Sequence, residues 1–325
     1  MTITTKQKVL TLLLAQPKQI LSGETLAQQL GLSRTAIWKA IQELKKEGHN
    51  IQSKSKQGYL YLPSDVINQV GILKLLDPTV PNLTITILDT IDSTNQHLKK
   101  MAIDGAPSHS LLLAKTQENG RGRFGRNYFS GSSEGGIYMS LLLHPNQILA
   151  DMSHYTIITA VALAEAIEKI QNRPAQIKWV NDIYIDNRKV AGILSEAVTN
   201  FETQMIENII IGIGINFSIP LSTFPSELQD KAGSIFKDTP ICDRNTLIAS
   251  FLNNFYHLLN NTSADYMTSY RDKSLVLGEK VSFIKQQITY KGTAIDITDS
   301  GELIVKLDSG KNTYLSSGEI SLTNF

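Results

Sequence analysis

The stretch from Ser22 to Gly48 carries the tightest local constraint in this chain of 325 residues. Ser22 is suited to cap a helix running to Leu30, Gly31 turns the chain, and Ser33 can cap the next helix from Arg34 to about Glu47, closed by Gly48. An earlier helix, Lys6 to Gln16, carries Val9, Leu12 and Leu13 at helical spacing and stops at Pro17. Within the window Gly23 to Gln42, Ala27, Gly31 and Ile37 fall where a helix-turn-helix needs a small contact residue, a residue of positive φ and a core-facing aliphatic. Ile51 to Leu62 then alternates about a Lys/Gly turn, as a β-hairpin carrying Lys54 and Lys56 would. The pattern reads as a winged helix-turn-helix.

Charge points the same way. Residues 1–63 hold nine Lys/Arg and three Asp/Glu, a net of +6, against 22 and 27 in the rest of a chain whose total is only +1. Ser33, Arg34, Thr35, Lys39 and Gln42 belong to the third helix and its cap. Of these, Arg34, Thr35 and Lys39 would face a major groove, and Lys54 and Lys56 would meet phosphates. Such three-helix units also serve as packing or dimerisation modules with merely solvated basic residues, but the basic excess favours DNA.

Pro63 and Ser64 form a short linker. Beyond them strand-like runs (83–88, 110–114, 137–143, 177–179, 183–185 and 209–215) alternate with helical ones, of which Ser93 to Met101 and Ser153 to Ile170 are the clearest. After about Leu277 the pattern changes to short alternating strands separated by Asp-Ser-Gly turns at Asp299 and Asp308. The expected architecture is α+β and multidomain: a winged helix-turn-helix at 1–63, a mixed β-sheet with helices at 64–276 and a small β-barrel at 277–325. One cysteine, Cys242, excludes an intramolecular disulfide, and no paired Cys or His clusters suggest structural zinc. The apolar run Leu10 to Ala15 is too short for a signal-peptide core or a membrane span, so a cytoplasmic protein without membrane contact is expected.

Residues 120–126 place three arginines and three glycines in seven positions. Arg121, Arg123 and Arg126 present planar forks that match phosphate or carboxylate oxygens. Gly120, Gly122 and Gly125 lack the β-carbons that would keep backbone N–H groups from the same anion. Three further segments add polar groups. Ser93-Thr94-Asn95 opens a helix after a strand, although a plain N-cap explains it equally. Lys178-Trp179-Val180-Asn181-Asp182 gathers a cation, an amide and a carboxylate, and Arg188-Lys189-Val190-Ala191-Gly192 returns a second cation after a polar turn. Taken singly, these last two read as solvated surface. Ile211-Gly-Ile-Gly-Ile-Asn216, taken singly, reads as a closely packed buried strand.

In chain order, Ser-Thr-Asn, the arginine loop, Lys-Trp-x-Asn-Asp, Arg-Lys-x-Ala-Gly-Ile-Leu and Gly-Ile-Gly-Ile-Asn, the five segments resemble the biotin protein ligases. With the winged helix ahead and the strand-rich segment behind, the resemblance covers essentially the whole chain and is to the bifunctional bacterial type, which also represses the biotin operon. It implies a ligase-like catalytic domain and an SH3-like C-terminal barrel. It also implies ATP-dependent activation of biotin to biotinyl-5'-AMP with release of pyrophosphate. By the same resemblance biotin would then pass to a lysine of a biotin carboxyl carrier protein, with Mg²⁺ at the leaving pyrophosphate. Carried over residue by residue, biotin would meet Ser93, Thr94, Asn95, Gln117, Arg121, Gly122, Arg123 and Lys189. ATP and its adenine would meet Tyr128, Asn181 and Asn216. Arg121, Arg123, Lys178 and Lys189 would offset the charge gathering on phosphate oxygens, and Asp182 is the candidate acid-base group.

Two positions depart from the family pattern: Tyr128 stands where tryptophan is usual, and Val180 where proline is, which removes a fixed φ. The segment Gly120 to Gly136 is expected to order over the adenylate. By the same resemblance the adenylate would act as corepressor, promoting a homodimer on operator DNA. Two rivals remain: a lipoate or octanoyl ligase with the same acyl-to-lysine chemistry, and a repressor whose central domain senses a ligand without turnover.

Overall fold

The computed structural model describes residues 3–131, 135–145, 147–148, 152–199, 205–261, 265–318 and 320–322. It parts into two compact units, Met1–Leu76 with Ile241–Ser250, and Asp77–Pro240 with Phe251–Phe325.

In the first unit α1 (Thr5–Ala15) opens on a capping box between Thr4 and Gln7. It is followed by β1 (Ile20–Leu21), α2 (Gly23–Leu30), α3 (Arg34–Lys46), β2 (Ile51–Lys54), β3 (Gly58–Tyr61) and α4 (Gln69–Lys74). Both serines cap as read: Ser22 Oγ accepts from Thr25 N at 2.9 Å and Ser33 Oγ from Ala36 N at 3.2 Å. Gly31 sits at φ 64°, the left-handed conformation glycine adopts most easily. Val9, Leu13, Leu26, Ile37, Ile41 and Leu44 are fully buried in one core. The wing folds back as a three-stranded sheet in the order β1-β3-β2. A β-carbon on Gly58 would stand 2.2 Å from the Leu21 carbonyl oxygen, so only glycine lets these strands meet. Residues just past Pro63 belong to this unit too, because Asp65 takes the backbone N–H of Arg244 at 2.8 Å and pairs with its guanidinium at 2.8 Å.

The second unit is built on eight strands: β4 (Thr84–Ile91), β5 (Ser110–Gln117), β6 (Gly136–Leu143), β7 (Gln147–Ile148), β8 (Gln176–Lys178), β9 (Asp182–Ile185), β10 (Arg188–Thr199) and β11 (Met205–Asn216). Their order is β4-β5-β6-β11-β10-β9-β8, with β7 beside β11. Among the described residues β4 and β5 are the neighbouring strands that run parallel and the other pairs are antiparallel, so the sheet is mixed. Helix α5 (Thr94–Ile103) covers one face through Leu98, which packs with Leu112, Leu142 and Ile210. Helix α6 (Met152–Gln171) lies on the other, where Thr156 donates to Ser195 Oγ at 2.8 Å. Most of α6 is buried around its whole circumference rather than along one stripe.

Two more helices follow in the chain, α7 (Arg244–Asn260) and α8 (Tyr266–Asp272). Five antiparallel strands then complete the chain: β12 (Lys280–Lys285), β13 (Ile288–Ile297), β14 (Leu303–Leu307), β15 (Asn312–Leu315) and β16 (Ile320–Leu322). They pair in the order β15-β14-β13-β12-β16. Among the described residues this path is open, so it forms a sheet, and the closure that a barrel needs is not among its pairings. Among the described residues no helix is long and apolar enough to cross a membrane.

Candidate active site and basic groove

The pocket of the second unit stands on a glycine floor. Gly192 of β10 lies opposite Gly214 of β11, and Leu194 opposite Gly212. These positions share a face, together with Tyr138 and Ser140 of β6, which oppose Gly214 and Gly212. A β-carbon on Gly214 would come within 2.4 Å of the Tyr128 ring, and one on Gly212 within 2.1 Å of Asn95 Oδ1. Side chains from two other segments therefore rest directly on backbone.

Lys189 reaches this floor through a β-bulge. The β9–β10 register shifts between Lys189 and Ala191, leaving Val190 as the extra residue. In a regular strand Lys189 and Gly192 would point to opposite faces, since they are three apart. The bulge puts them on the same one, and Lys189 Nζ lies 3.1 Å from the place a Gly192 β-carbon would occupy. From there Nζ pairs with Asp182 Oδ1 at 2.7 Å and stands 5.9 Å from the centre of the Tyr128 ring. Burial pushes the Tyr128 hydroxyl well above its ordinary pKa, with Tyr138 and Asp182 adding to the shift.

Residues 178–182 form the β8–β9 connection. Asn181 is locked to β10: its side chain donates to Ile193 O at 2.7 Å while its own carbonyl accepts from Ile193 N at 2.9 Å. Its Oδ1 is left to accept from Arg123 Nη1 at 3.1 Å, joining the arginine loop to this turn. The Trp179–Val180 peptide is cis, and the Val180 carbonyl accepts from the Tyr270 hydroxyl at 3.0 Å. Trp179 is buried, its Nε1 donating to Gly301 O at 3.0 Å. Lys178 Nζ lies 5.8 Å from the Tyr184 ring centre.

At the other end of the pocket Gln117 Oε1 accepts from both Thr94 N (2.7 Å) and Thr94 Oγ1 (3.0 Å). Its amide nitrogen donates to Ser130 Oγ at 3.0 Å, and Ser130 Oγ donates to Tyr128 O at 3.2 Å. Ser130 is a positioning residue that no sequence motif marked. The signal for it is Gly120, whose β-carbon would stand 2.3 Å from Ser130 Oγ. The loop glycines also serve the loop itself. Gly120 makes room for Ser130, the Gly122 N–H donates to Arg126 O at 2.7 Å, and Gly125 supplies a φ of 72°.

The structure thus gathers Ser93, Thr94, Asn95, Gln117, Arg121, Gly122, Arg123, Tyr128, Lys178, Asn181, Asp182 and Lys189 around one cavity of about 180 Å³. Asn216 is not among the lining residues. It is buried, and its amide donates to Gly233 O at 3.0 Å and more distantly to Lys189 O at 3.5 Å, closing the end of β11. The cavity is small beside the roughly 300–1,000 Å³ usual for ligand sites, because Tyr128 and the arginine loop lie over the floor. Of the expected lid, residues 132–134 lie outside the described residues.

In the first unit a groove of about 750 Å³ runs between α3 and the wing, lined by Arg34, Thr35, Trp38, Lys54, Lys56 and Tyr59 among others. Ala27 and Ile37 are buried and hold the two helices together, Gly23 and Gly31 shape the ends of α2, and Arg34, Thr35, Lys39 and Gln42 are exposed. Sequence reasoning passed over Trp38, which is 54% exposed on the face of α3. Its signal was an indole at a position where the helix turns to solvent. Arg34 also stands 3.5 Å from Glu24 at the start of α2.

Residues 87–216 match the model of the biotin/lipoate A/B protein ligase family, residues 5–60 a helix-turn-helix domain, and residues 276–323 the biotin protein ligase C-terminal domain. The chain is 31% identical to the bifunctional ligase/repressor BirA of Bacillus subtilis over 98% of its own length and 99% of that protein's. It is 30% identical to the bifunctional ligase/repressor BirA of Escherichia coli over 93% and 92%. Among solved structures, the biotin protein ligase from Aquifex aeolicus in complex with biotin and ATP superposes with a TM-score of 0.61. It is 28% identical, and the match covers 74% of this chain and 98% of that one.

Proposed function

The chain belongs to the family of bifunctional biotin ligase/repressors, and from that premise we propose how its own residues carry out both halves of the task. The observation that carries the catalytic half is the convergence of Lys189, Asp182, Asn181 and Arg123 at one end of a glycine-floored pocket and of Thr94 and Gln117 at the other. Biotin lies along the floor with its polar ring toward Ser93, Thr94 and Gln117 and its carboxylate toward Lys189, Arg121 and Arg123. ATP enters beside Tyr128 and Asn181, and the adenine stacks on the Tyr128 ring once that ring leaves Gly214.

The first step joins two anions: a biotin carboxylate oxygen bonds to the α-phosphorus as the bond to the pyrophosphate oxygen breaks. Fixed cations in a pocket that excludes water stabilise the charge that builds on the phosphate oxygens. In the second step a carrier-protein lysine nitrogen bonds to the acyl carbon and AMP leaves. Asp182, which lines the pocket beside Lys189, takes the proton that the incoming amine loses. Among the described residues no group of three His, Cys, Asp or Glu stands ready for a metal. Mg²⁺ carried on the nucleotide's phosphates would add positive charge at the leaving pyrophosphate beside Arg121, Arg123 and Lys178.

For the second half, residues 1–63 bind operator DNA through α3 and the wing, and a homodimer formed on the adenylate-loaded chain presents two such units to two half-sites. Residues 64–276 serve as the ligase and 277–325 as an accessory C-terminal part, in the cytoplasm. The test is pyrophosphate release with ATP and Mg²⁺, comparing biotin with lipoate. Release that requires biotin supports the proposal, release with lipoate supports a lipoate-type ligase, and no release with either acid overturns the catalytic half.

A further inference from the structure

Asn95 is the second residue of α5, 4% exposed, in the segment that the resemblance assigns to direct contact with biotin. Its surroundings leave little of it for a ligand. The amide nitrogen donates to Leu194 O at 3.1 Å and to Glu196 Oε2 at 2.7 Å, so both of its hydrogens are taken by β10. Its oxygen accepts from Ser140 Oγ at 2.6 Å, within a buried pair, and rests where a Gly212 β-carbon would be. Three neighbouring strands thus grip one side chain. Leu194 and Glu196 share the face of β10 that carries Gly192, and Ser140 opposes Gly212 across β6 and β11.

We infer that Asn95 is a positioning residue and that Glu196, outside every motif that marked the site, is the anchor that makes it one. A carboxylate accepts only, so Asn95 must present its donors to β10 and its oxygen to Ser140. An amide turned the other way would set its oxygen against both Glu196 Oε2 and Leu194 O. Fixing that side chain fixes the first turn of α5 over the sheet. The neighbouring Thr94 then keeps both its donors on Gln117 Oε1, and Gln117 keeps its amide nitrogen aimed at Ser130. Glu196 therefore acts on the ring-binding end of the pocket through Asn95 and Thr94, without touching the substrate. This rests on the reading that the Thr94–Gln117 end takes biotin.

Steady-state pyrophosphate release by the full chain tests it, with biotin and ATP varied separately. Glu196→Met removes the acceptor at similar length and is expected to raise the KM for biotin by about tenfold, the scale of one hydrogen bond to a charged group. The KM for ATP and kcat should stay within about threefold. Glu196→Gln, which still offers an acceptor oxygen, should restore the KM for biotin to within about threefold of wild type. Asn95→Ala should raise the KM for biotin as Glu196→Met does, and the double variant should be no worse than Asn95→Ala alone. Additive effects, or a loss spread equally over kcat and both KM values, would overturn the inference. If Glu196→Met does not fold, Glu196→Gln decides by hydrogen exchange of the Asn95 side-chain amide: protection matching wild type supports the grip, and protection absent in the wild-type chain refutes it. That measurement needs no biotin turnover, so it stands apart from any failure of the ligase reading itself.

Discussion

The Tyr128 ring lies on the bare backbone of Gly214, with its Cε1 2.4 Å from where a β-carbon would stand. The sheet register puts Gly192 directly opposite Gly214, so the ring, the two glycines and the Lys189 stem make one layered contact. If the adenine stacks on Tyr128, this is the contact that gives way when nucleotide enters. Tyr128→Phe should then behave like wild type, because the ring and not the hydroxyl stacks. Tyr128→Ala should raise the KM for ATP by roughly 10- to 100-fold, the range of one base–aromatic stack. Steady-state kinetics in ATP at saturating biotin decides between them.

Gly214→Ala probes the same contact from below. The ring cannot keep its place above a β-carbon, and a shift of the ring carries Ser130 and Gln117 with it through the Tyr128 carbonyl. A fall of about tenfold or more in kcat/KM is expected, since small misplacements at a reacting centre cost on that scale or above. Pyrophosphate release equal to wild type would show that the floor need not be bare.

Lys189 and Asp182 are separable by step. Lys189→Met keeps the stem above Gly192 and removes the charge, which should lower adenylate formation by about 10²- to 10³-fold. Asp182→Asn should spare adenylate formation more than transfer, whose rate should fall by about 10²-fold or more if Asp182 takes the amine proton. Single-turnover transfer from preformed adenylate to a biotin carboxyl carrier protein measures the second step alone. A normal transfer rate removes Asp182 from that role.

The basic groove should show itself in salt dependence. Lys54→Ala and Lys56→Ala are each expected to weaken binding to a mixed-sequence duplex and to lower the slope of log affinity against log salt by about one. The chain has two tryptophans, and only Trp38 is exposed, Trp179 being 4% exposed. Acrylamide quenching therefore reports on Trp38, and bound duplex should protect it. Unchanged quenching with binding intact would place the DNA elsewhere.

Acid should weaken the first unit through His49. Its ring is 4% exposed, 3.0 Å from the Tyr61 hydroxyl, and burial lowers its pKa below 6.5, Glu47 opposing and Lys6 adding to the shift. The unfolded chain then binds the proton first, so the stability present above about pH 6.5 is lost as the pH falls through that value toward the folded pKa. His109 is shifted the same way, by burial and by His144. Thermal unfolding between pH 8 and 5 should show the decline, and His49→Gln should flatten the part that belongs to this unit.

Local signals were legible where the sequence itself fixed them. The caps at Ser22 and Ser33, the turn at Gly31 and the strands bearing the site follow from short-range preferences. The three-dimensional roles of polar residues were not, because they depend on which face a strand presents. Lys189 reaches the pocket only through a bulge at Val190, and Glu196 anchors Asn95 only because β10 and β11 pair in one register. The sequence does not tell whether a loop glycine serves a ligand or a neighbour, because the same absence of a β-carbon suits an anion and, at Gly120, makes room for Ser130. In residues 241–273 the helical period is carried by Leu247, Phe251 and Phe255, which α7 buries.

One measurement bears on the whole reading: what remains bound after the chain is incubated with ATP, Mg²⁺ and an equal mixture of biotin and lipoate, desalted and analysed by mass spectrometry. Biotinyl-AMP held at about one per chain, without a lipoyl counterpart, is the expected result for a site that forms and shelters the mixed anhydride. A chain that retains unreacted biotin and no adenylate, or that retains lipoyl-AMP instead, would contradict it.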